Sequence, residues 1–230
     1  MVVIDGSVAV VTGGQRGLGK AIVEELLRRG AARVYATARA PQPSDDPRVV
    51  SVALDVTDAE SVTALAGAAP DATIVVNNAG VLGGATLLDS SIEDVRTVFE
   101  TNYFGALRVA QAFAPTLARN GGCALVDIHS VLSWVAGSGS YGDSKAAFWS
   151  ATNTLRIELR VQKTQVVGVH LGYTDTDMVK DVDAPKNDPR DVAAQIADAI
   201  EAGHTEVLAD DVTRHFKSLL SGPVEGLQLR

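Results

Sequence analysis

Short continuous apolar runs alternate along this chain with stretches in which apolar residues recur every three or four positions. Ser7-Val8-Ala9-Val10-Val11 reads as a buried strand, and a glycine-rich turn follows at once. From Lys20 to Arg29, the residues Ile22, Val23, Leu26 and Leu27 keep a helical spacing that Gly30 ends. Arg33–Thr37 predicts a second strand, closed by a Pro/Ser/Asp stretch from Pro41 to Pro47, and Val49–Leu54 predicts a third. Thr57 is expected to cap a helix that runs to the region of Gly67, with Glu60 at the capping-box position. Ala72–Val76 reads as strand, Ile92 to Arg119 as one long helix, and Ala124–Ile128 as strand. A Ser/Gly loop then leads into a second long helix, Tyr141–Val161, and a sixth strand, Val166–His170. The remainder predicts a helix at Arg190–Ala202, a short strand at Glu206–Leu208 and a helix at Asp211–Leu220, with Asp210 and Asp211 at its start.

Strand and helix alternate throughout, and the strands are continuous apolar runs. That is the pattern of a doubly wound α/β fold, a parallel sheet covered by helices on both faces. At 230 residues the chain suits one sizeable core, so a single domain over 1–230 is expected. A net charge of −8, with Lys and Arg scattered, argues against a nucleic-acid partner, although one or two arginines could still hold a small anion. No apolar run approaches the roughly 18 residues of a membrane span, and the first residues lack the marks of a signal peptide. Cys123 stands alone, which excludes an internal disulfide and a cysteine-rich zinc site and fits a cytoplasmic setting. His129, His170, His204 and His215 lie on different elements without metal-ligand spacing, so no metal is expected.

Thr12-Gly13-Gly14-Gln15-Arg16-Gly17-Leu18-Gly19 sits between the first strand and the first helix. Glycines there allow a tight turn and close backbone approach to a pyrophosphate, which the helix N-terminus then meets with free N–H groups. Further on stand Asn77-Asn78-Ala79-Gly80 after the fourth strand, Asn102-x-x-Gly105, Ser130, and Tyr141-x-x-x-Lys145. Together, in this order and on these elements, the motifs resemble the short-chain dehydrogenase/reductase family over nearly the whole chain. The resemblance implies a Rossmann fold and an oxidoreductase that exchanges hydride between a nicotinamide cofactor and a small carbonyl or secondary alcohol substrate.

It also implies site residues. Asn102, Ser130, Tyr141 and Lys145 match the catalytic set. Gly13, Gln15, Arg16, Gly17, Leu18 and Gly19 match the cofactor loop, Asp55 and Val56 the adenine contacts, and Asn78, Ala79 and Gly80 the segment beside the nicotinamide half. Thr37 ends the second strand within the same crevice. His170-Leu171-Gly172-Tyr173-Thr174-Asp175-Thr176 resembles the family's Pro-Gly segment, with Leu171 in place of the proline, and places Gly172, Thr174 and Thr176 against the carboxamide. Tyr141 and Lys145 are expected to touch the cofactor as well, Lys145 at the ribose hydroxyls. Asn102 is expected to hold a water in a proton relay.

The position where dinucleotide folds selecting NAD carry an acidic residue is Ala38 here, followed by Arg39. Two guanidiniums, Arg16 and Arg39, with no carboxylate suit a 2′-phosphate, so NADP(H) is the expected cofactor. A free tyrosine ionises at about 10, and the Lys145 ammonium one helical turn away, with a positively charged nicotinamide in the oxidised complex, is expected to lower that value toward working pH. Ser130 would donate to the substrate oxygen as charge develops there. Ser133 is the runner-up, because the loop from Ser130 to Tyr141 is about two residues shorter than the usual spacing. His129 and Ser130 are expected on opposite faces of their strand.

The leading expectation is therefore a carbonyl reductase of the alcohol dehydrogenase type. The alternative is a non-catalytic NADP(H)-binding sensor on the same scaffold. A nucleotide-sugar enzyme is disfavoured by the short stretch after Met178. The long helices Ile92–Arg119 and Tyr141–Val161 are, by resemblance, the surfaces of a homodimer or homotetramer. Substrate identity is not encoded in any motif.

Overall fold

In the computed structural model, which describes residues 2–84 and 86–228, seven strands lie parallel in one sheet. Along the chain run β1 (Val8–Val11), α1 (Gly17–Arg28), β2 (Arg33–Ala38), β3 (Val49–Ala53), α2 (Ala59–Ala68) and β4 (Ile74–Asn77). Next come α3 (Ile92–Phe99), a π-helical stretch Glu100–Gly105, α4 (Ala106–Arg119), β5 (Ala124–Ile128) and α5 (Gly139–Glu158). β6 (Gln165–His170), α6 (Pro189–Ala202), β7 (Glu206–Leu208) and α7 (Asp211–Leu219) complete the series. The strand order is β3-β2-β1-β4-β5-β6-β7, so the chain reverses its direction of travel across the sheet between β1 and β4. This is the doubly wound Rossmann arrangement, and its crevice opens where that reversal falls.

Alternate strand residues feed two cores. Ala9, Val11, Ile74, Val76, Val126 and Ile128 pack with Ile22, Leu26, Ile196 and Ile200 of α1 and α6. Val10, Val75 and Leu125 face the other way, onto Val62 and Leu65 of α2, Phe113 and Leu117 of α4, and Leu155 of α5. Both faces are buried, which is why the strands carry no polar alternation.

Several boundaries differ from the sequence expectation. α1 begins at Gly17, before Lys20, because the glycine turn passes directly into the helix. Asp58, not Thr57, caps α2 by accepting from the Glu60 amide, while Thr57 is drawn to the Asp55 carboxylate. The predicted helix Ile92–Arg119 is broken in hydrogen-bond pattern by the π-helical stretch, a local widening that periodicity over a long window does not register. α5 starts two residues before Tyr141 and ends at Glu158. β4 runs to Asn77, so its polar end belongs to the sheet.

Phe113 is fully buried between α4 and the sheet. Phe113→Ala is expected to cost about 3–5 kcal/mol in urea unfolding, with an unchanged denaturant slope.

Candidate active site

The glycine turn is locked to the next strand over by one hydroxyl. Thr12 Oγ1 donates to Val76 O (3.2 Å) and accepts from the amides of Asn78 (2.9 Å) and Ala79 (3.0 Å). Asn78 Nδ2 returns the tie by donating to Thr12 O at 2.8 Å. Gly13 is held at φ +65°, a left-handed conformation that glycine takes without strain. Any β-carbon on Gly19 would collide with the Gly13 carbonyl oxygen and the Asn78 amide, so helix and turn touch backbone to backbone. The result is a cradle without side chains at the N-terminus of α1, the arrangement that fits a pyrophosphate. Leu18 is buried beneath it, and Thr176 from the segment after β6 lies against Gly17.

Gln15 uses its side chain differently from the expectation of a cofactor contact. Its Nε2 donates to Gln42 O (2.8 Å) and Ser51 Oγ (2.9 Å), and its Oε1 accepts from the Gln42 amide. It fastens the turn to the loop after β2, leaving only its backbone to a ligand. Arg16 and Arg39 are exposed, and neither is in an ion pair among the described residues. Thr37 Oγ1 is buried without a partner nearby. Asp55 is exposed; its carboxylate accepts from the Thr57 amide and hydroxyl, which hold it below the usual carboxylate range. Val56 is buried against Gly105.

At the other end of the crevice, the Ser130 hydroxyl faces the Tyr141 phenol and favours its ionised form. Ser130 Oγ accepts from the Leu132 amide at 3.1 Å, starting the single 3-10 turn Val131–Ser133. Ser133 Oγ is instead buried with no partner, so the geometry favours Ser130 over its runner-up. Lys145 Nζ lies 5.9 Å from the Tyr141 ring centre and donates to Ile128 O at 2.7 Å. Without the cofactor, burial dominates both groups. Burial pushes Tyr141 up to about 12, opposed only by the nearby Ser130 hydroxyl. Burial likewise lowers Lys145 to about 8, because charge is disfavoured there.

Asn102 sits on the π-helical stretch, and its amide makes three hydrogen bonds. Oδ1 accepts from the Val81 amide (2.9 Å), while Nδ2 donates to Val81 O (3.0 Å) and Ser144 Oγ (3.0 Å). Its side chain therefore clamps the segment following Gly80 to α5. Beyond Ile128 the backbone stays extended, with the His129 amide donating to Val169 O and that of Val131 to Leu171 O. His129 lies edge-on to Phe148, and Ser130 lies near Tyr141. The histidines of neighbouring strands also meet, His129 and His170 lying 4.9 Å apart with Trp134 stacked on His170.

Three supports escaped sequence reasoning. Ser144 bonds Asn102 and the Tyr141 carbonyl. Asp210, besides capping α7, accepts from the Gly172 amide (2.7 Å) and from Asn187 Nδ2 (2.6 Å). It thereby anchors the segment that Leu171 deprives of a proline, with Thr174 buried inside it. The shortened loop before Tyr141 is met by the chain's last described residues, Ala136 pairing with Gln228 and its amide donating to Leu227 O at 2.9 Å. Only Asp210 carried a signal, an acidic residue at a helix start, and that signal was equally that of a simple cap.

The fold and these clustered groups define a nicotinamide-dependent oxidoreductase, and residues 7–187 match the short chain dehydrogenase family, to which this chain belongs. It is 35% identical to 1-deoxy-11-beta-hydroxypentalenate dehydrogenase of Streptomyces exfoliatus over 89% of this chain and 76% of that protein. It is 29% identical to the 3-oxoacyl-acyl-carrier-protein reductase FabG of Vibrio cholerae, over 84% of this chain and 89% of that one. Among solved structures, a short chain dehydrogenase from Burkholderia cenocepacia in complex with NADP superposes with TM-score 0.92 at 37% identity, covering 97% of this chain and 96% of that one. The chain is thus an enzyme acting on small molecules, and the sensor reading falls away. Among the described residues no helix is long and apolar enough to cross a membrane.

Asp210→Ala is expected to cost about 1–2 kcal/mol of stability as a lost cap and to raise KM for the cofactor several-fold. Asp211→Ala, at the same helix end without the loop contacts, serves as control. Equal cofactor KM values in the two variants would remove Asp210 from the site.

Proposed function

We propose that this enzyme is an NADP(H)-dependent carbonyl reductase, reversible as a secondary alcohol dehydrogenase, with Tyr141 as its general acid and base. The observation that carries this reading is the convergence of Ser130, Tyr141 and Lys145 at one end of the crevice, Lys145 Nζ lying 5.9 Å from the Tyr141 ring centre. The glycine cradle, Asn78, Ala79, Gly80 and the segment Gly172–Thr176 would hold the cofactor, and Lys145 its ribose hydroxyls. When bound, the nicotinamide supplies the hydride to the substrate or takes it away. Arg16 and Arg39 would pair with a 2′-phosphate, and the absence of an acidic residue at Ala38 removes the group that selects the free hydroxyl.

In the direction of reduction, Ser130 Oγ donates a hydrogen bond to the substrate oxygen, and Tyr141 Oη gives it a proton. The buried Lys145 ammonium then stabilises the phenolate left behind. Because burial raises the phenol, its acid form is the resting form at neutral pH, which favours reduction there. Asn102 and Ser144 hold the geometry rather than exchange protons. For the assembly, a homodimer or homotetramer through α3–α4 and α5 is proposed, in keeping with exposed Phe104, Ile157 and Val161.

Steady-state kinetics across a panel of ketones, aldehydes and alcohols test the reading. Tyr141→Phe is expected to lower kcat by about 10²–10⁴-fold with NADPH binding retained. Ser130→Ala should lose activity and Ser133→Ala should keep it; the reverse result would transfer the role to Ser133. Wild type is expected to prefer NADPH and Arg39→Asp to shift toward NADH, so equal or better use of NADH by wild type would overturn the cofactor assignment. Alcohol oxidation, which needs the phenolate, should rise with pH, while carbonyl reduction should hold level until the phenol ionises. A reduction rate that climbs with pH would exclude Tyr141 as the acid.

A further inference from the structure

Asp127 has no part in the reaction as read above, yet it is a carboxylate wholly shut off from solvent in the centre of the sheet (0% exposed). It shares the strand face of Leu125, which packs toward α5. Its Oδ1 accepts from Asn77 Nδ2 of β4 at 2.9 Å, and its Oδ2 accepts from Thr152 Oγ1 of α5 at 2.7 Å. Lys145 lies seven residues before Thr152, two turns along the same helix face, and is itself buried (4% exposed). Its ammonium is fixed on the carbonyl of Ile128, the residue next to Asp127. One anion and one cation are thus enclosed between the same strand and the same helix.

The surroundings leave Asp127 as the one carboxylate acting on this lysine. From α5, Lys145 is faced by Tyr141 and Phe148, and Asp127 by Thr152 and Arg156. From β5 and β6, His129 and His170 are both held neutral by burial, His170 down to about 3. Burial lowers Lys145 to about 8, and the Asp127 charge is what opposes that fall. Burial raises Asp127 to about 6 even though Thr152, Asn77 and Lys145 pull it down. A carboxyl raised from 3.8 to about 6 on folding lowers stability as pH rises between those values, and the full cost of its ionised form remains above pH 6. An asparagine would fit the same hydrogen bonds, accepting from Asn77 and donating to Thr152, whose hydroxyl can turn to Phe148 O at 3.0 Å. The charge therefore has a use other than stability.

We propose that Asp127 is a positioning residue for the reaction, its carboxylate being the buried counter-charge that keeps Lys145 an ammonium beneath Tyr141. The role in catalysis rests on the reading of Tyr141 and Lys145 given above; the coupling between Asp127 and Lys145 does not.

The test is an NMR pH titration of the full-length protein carrying ¹³C-labelled lysine, with and without NADPH, the Lys145 signal being assigned from Lys145→Arg. In wild type the Lys145 resonances should bend once as Asp127 ionises and again at their own titration. In Asp127→Asn the Lys145 midpoint should fall by about one pH unit or more. The alkaline limit of kcat should fall with it, while thermal stability at neutral pH holds or rises. An unmoved midpoint in a folded variant would overturn the proposal. Should the variant not fold, a wild-type Lys145 signal without the lower inflection would overturn it equally. If Lys145 shifts as expected but wild type turns over no carbonyl or alcohol, the catalytic reading fails and the charge coupling stands. An active wild type with an unmoved Lys145 midpoint leaves the catalytic reading in place and removes the coupling.

Discussion

The crevice exists because β1 and β4 are held edge to edge at the one point where the two halves of the sheet part company. Thr12 and Asn78 make that junction, each reaching across to the other's backbone. Were the junction loose, the peptide groups around Gly13 would lose their orientation and the α1 N-terminus its approach. The contact of Gly19 on Gly13 is possible only because no side chain stands between them. A ligand met by bare amides is held by geometry that no rotamer change can spoil, and the same economy explains why the buried strands need no polar residues until their last positions.

Those last positions are where polarity gathers. Asn77, Asp127, His129 and His170 stand at the C-terminal ends of β4, β5 and β6 or just beyond, and α5 closes over the first three with Lys145, Phe148 and Thr152. Solvent is held away from them, so charge is disfavoured at each, and Asp127 and Lys145 favour one another's ionised forms. The π-helical stretch contributes by turning Asn102 toward Val81 and Ser144, which fixes the loop after β4 against the helix bearing Tyr141.

Much of this is legible in the sequence. The seven strands and their helices follow from continuous apolar runs and helical spacing, and the family from motifs whose order matters more than any one of them. What cannot be read there depends on distance rather than pattern. Gln15 sits in the motif but spends its side chain on Gln42, a contact set by how the loop after β2 folds back. The burial of Tyr141, which raises its phenol, is equally hidden, because spacing along a helix says nothing of desolvation. Asp127 looks like one polar residue in a strand, and its isolation from solvent emerges only once α5 lies across it. Asp210 reads as a cap, which it is; its hold on Gly172 requires the sheet to bring β6 and α7 together.

The pairing of Ala136 with Gln228 ties the two ends of the described fold to different tasks. The junction of Thr12 with Asn78 is closed by residues early in the chain, whereas the loop leading to Tyr141 takes its outer support from Leu227 and Gln228. Loss of those two residues would strip that brace and leave the Thr12–Asn78 junction untouched.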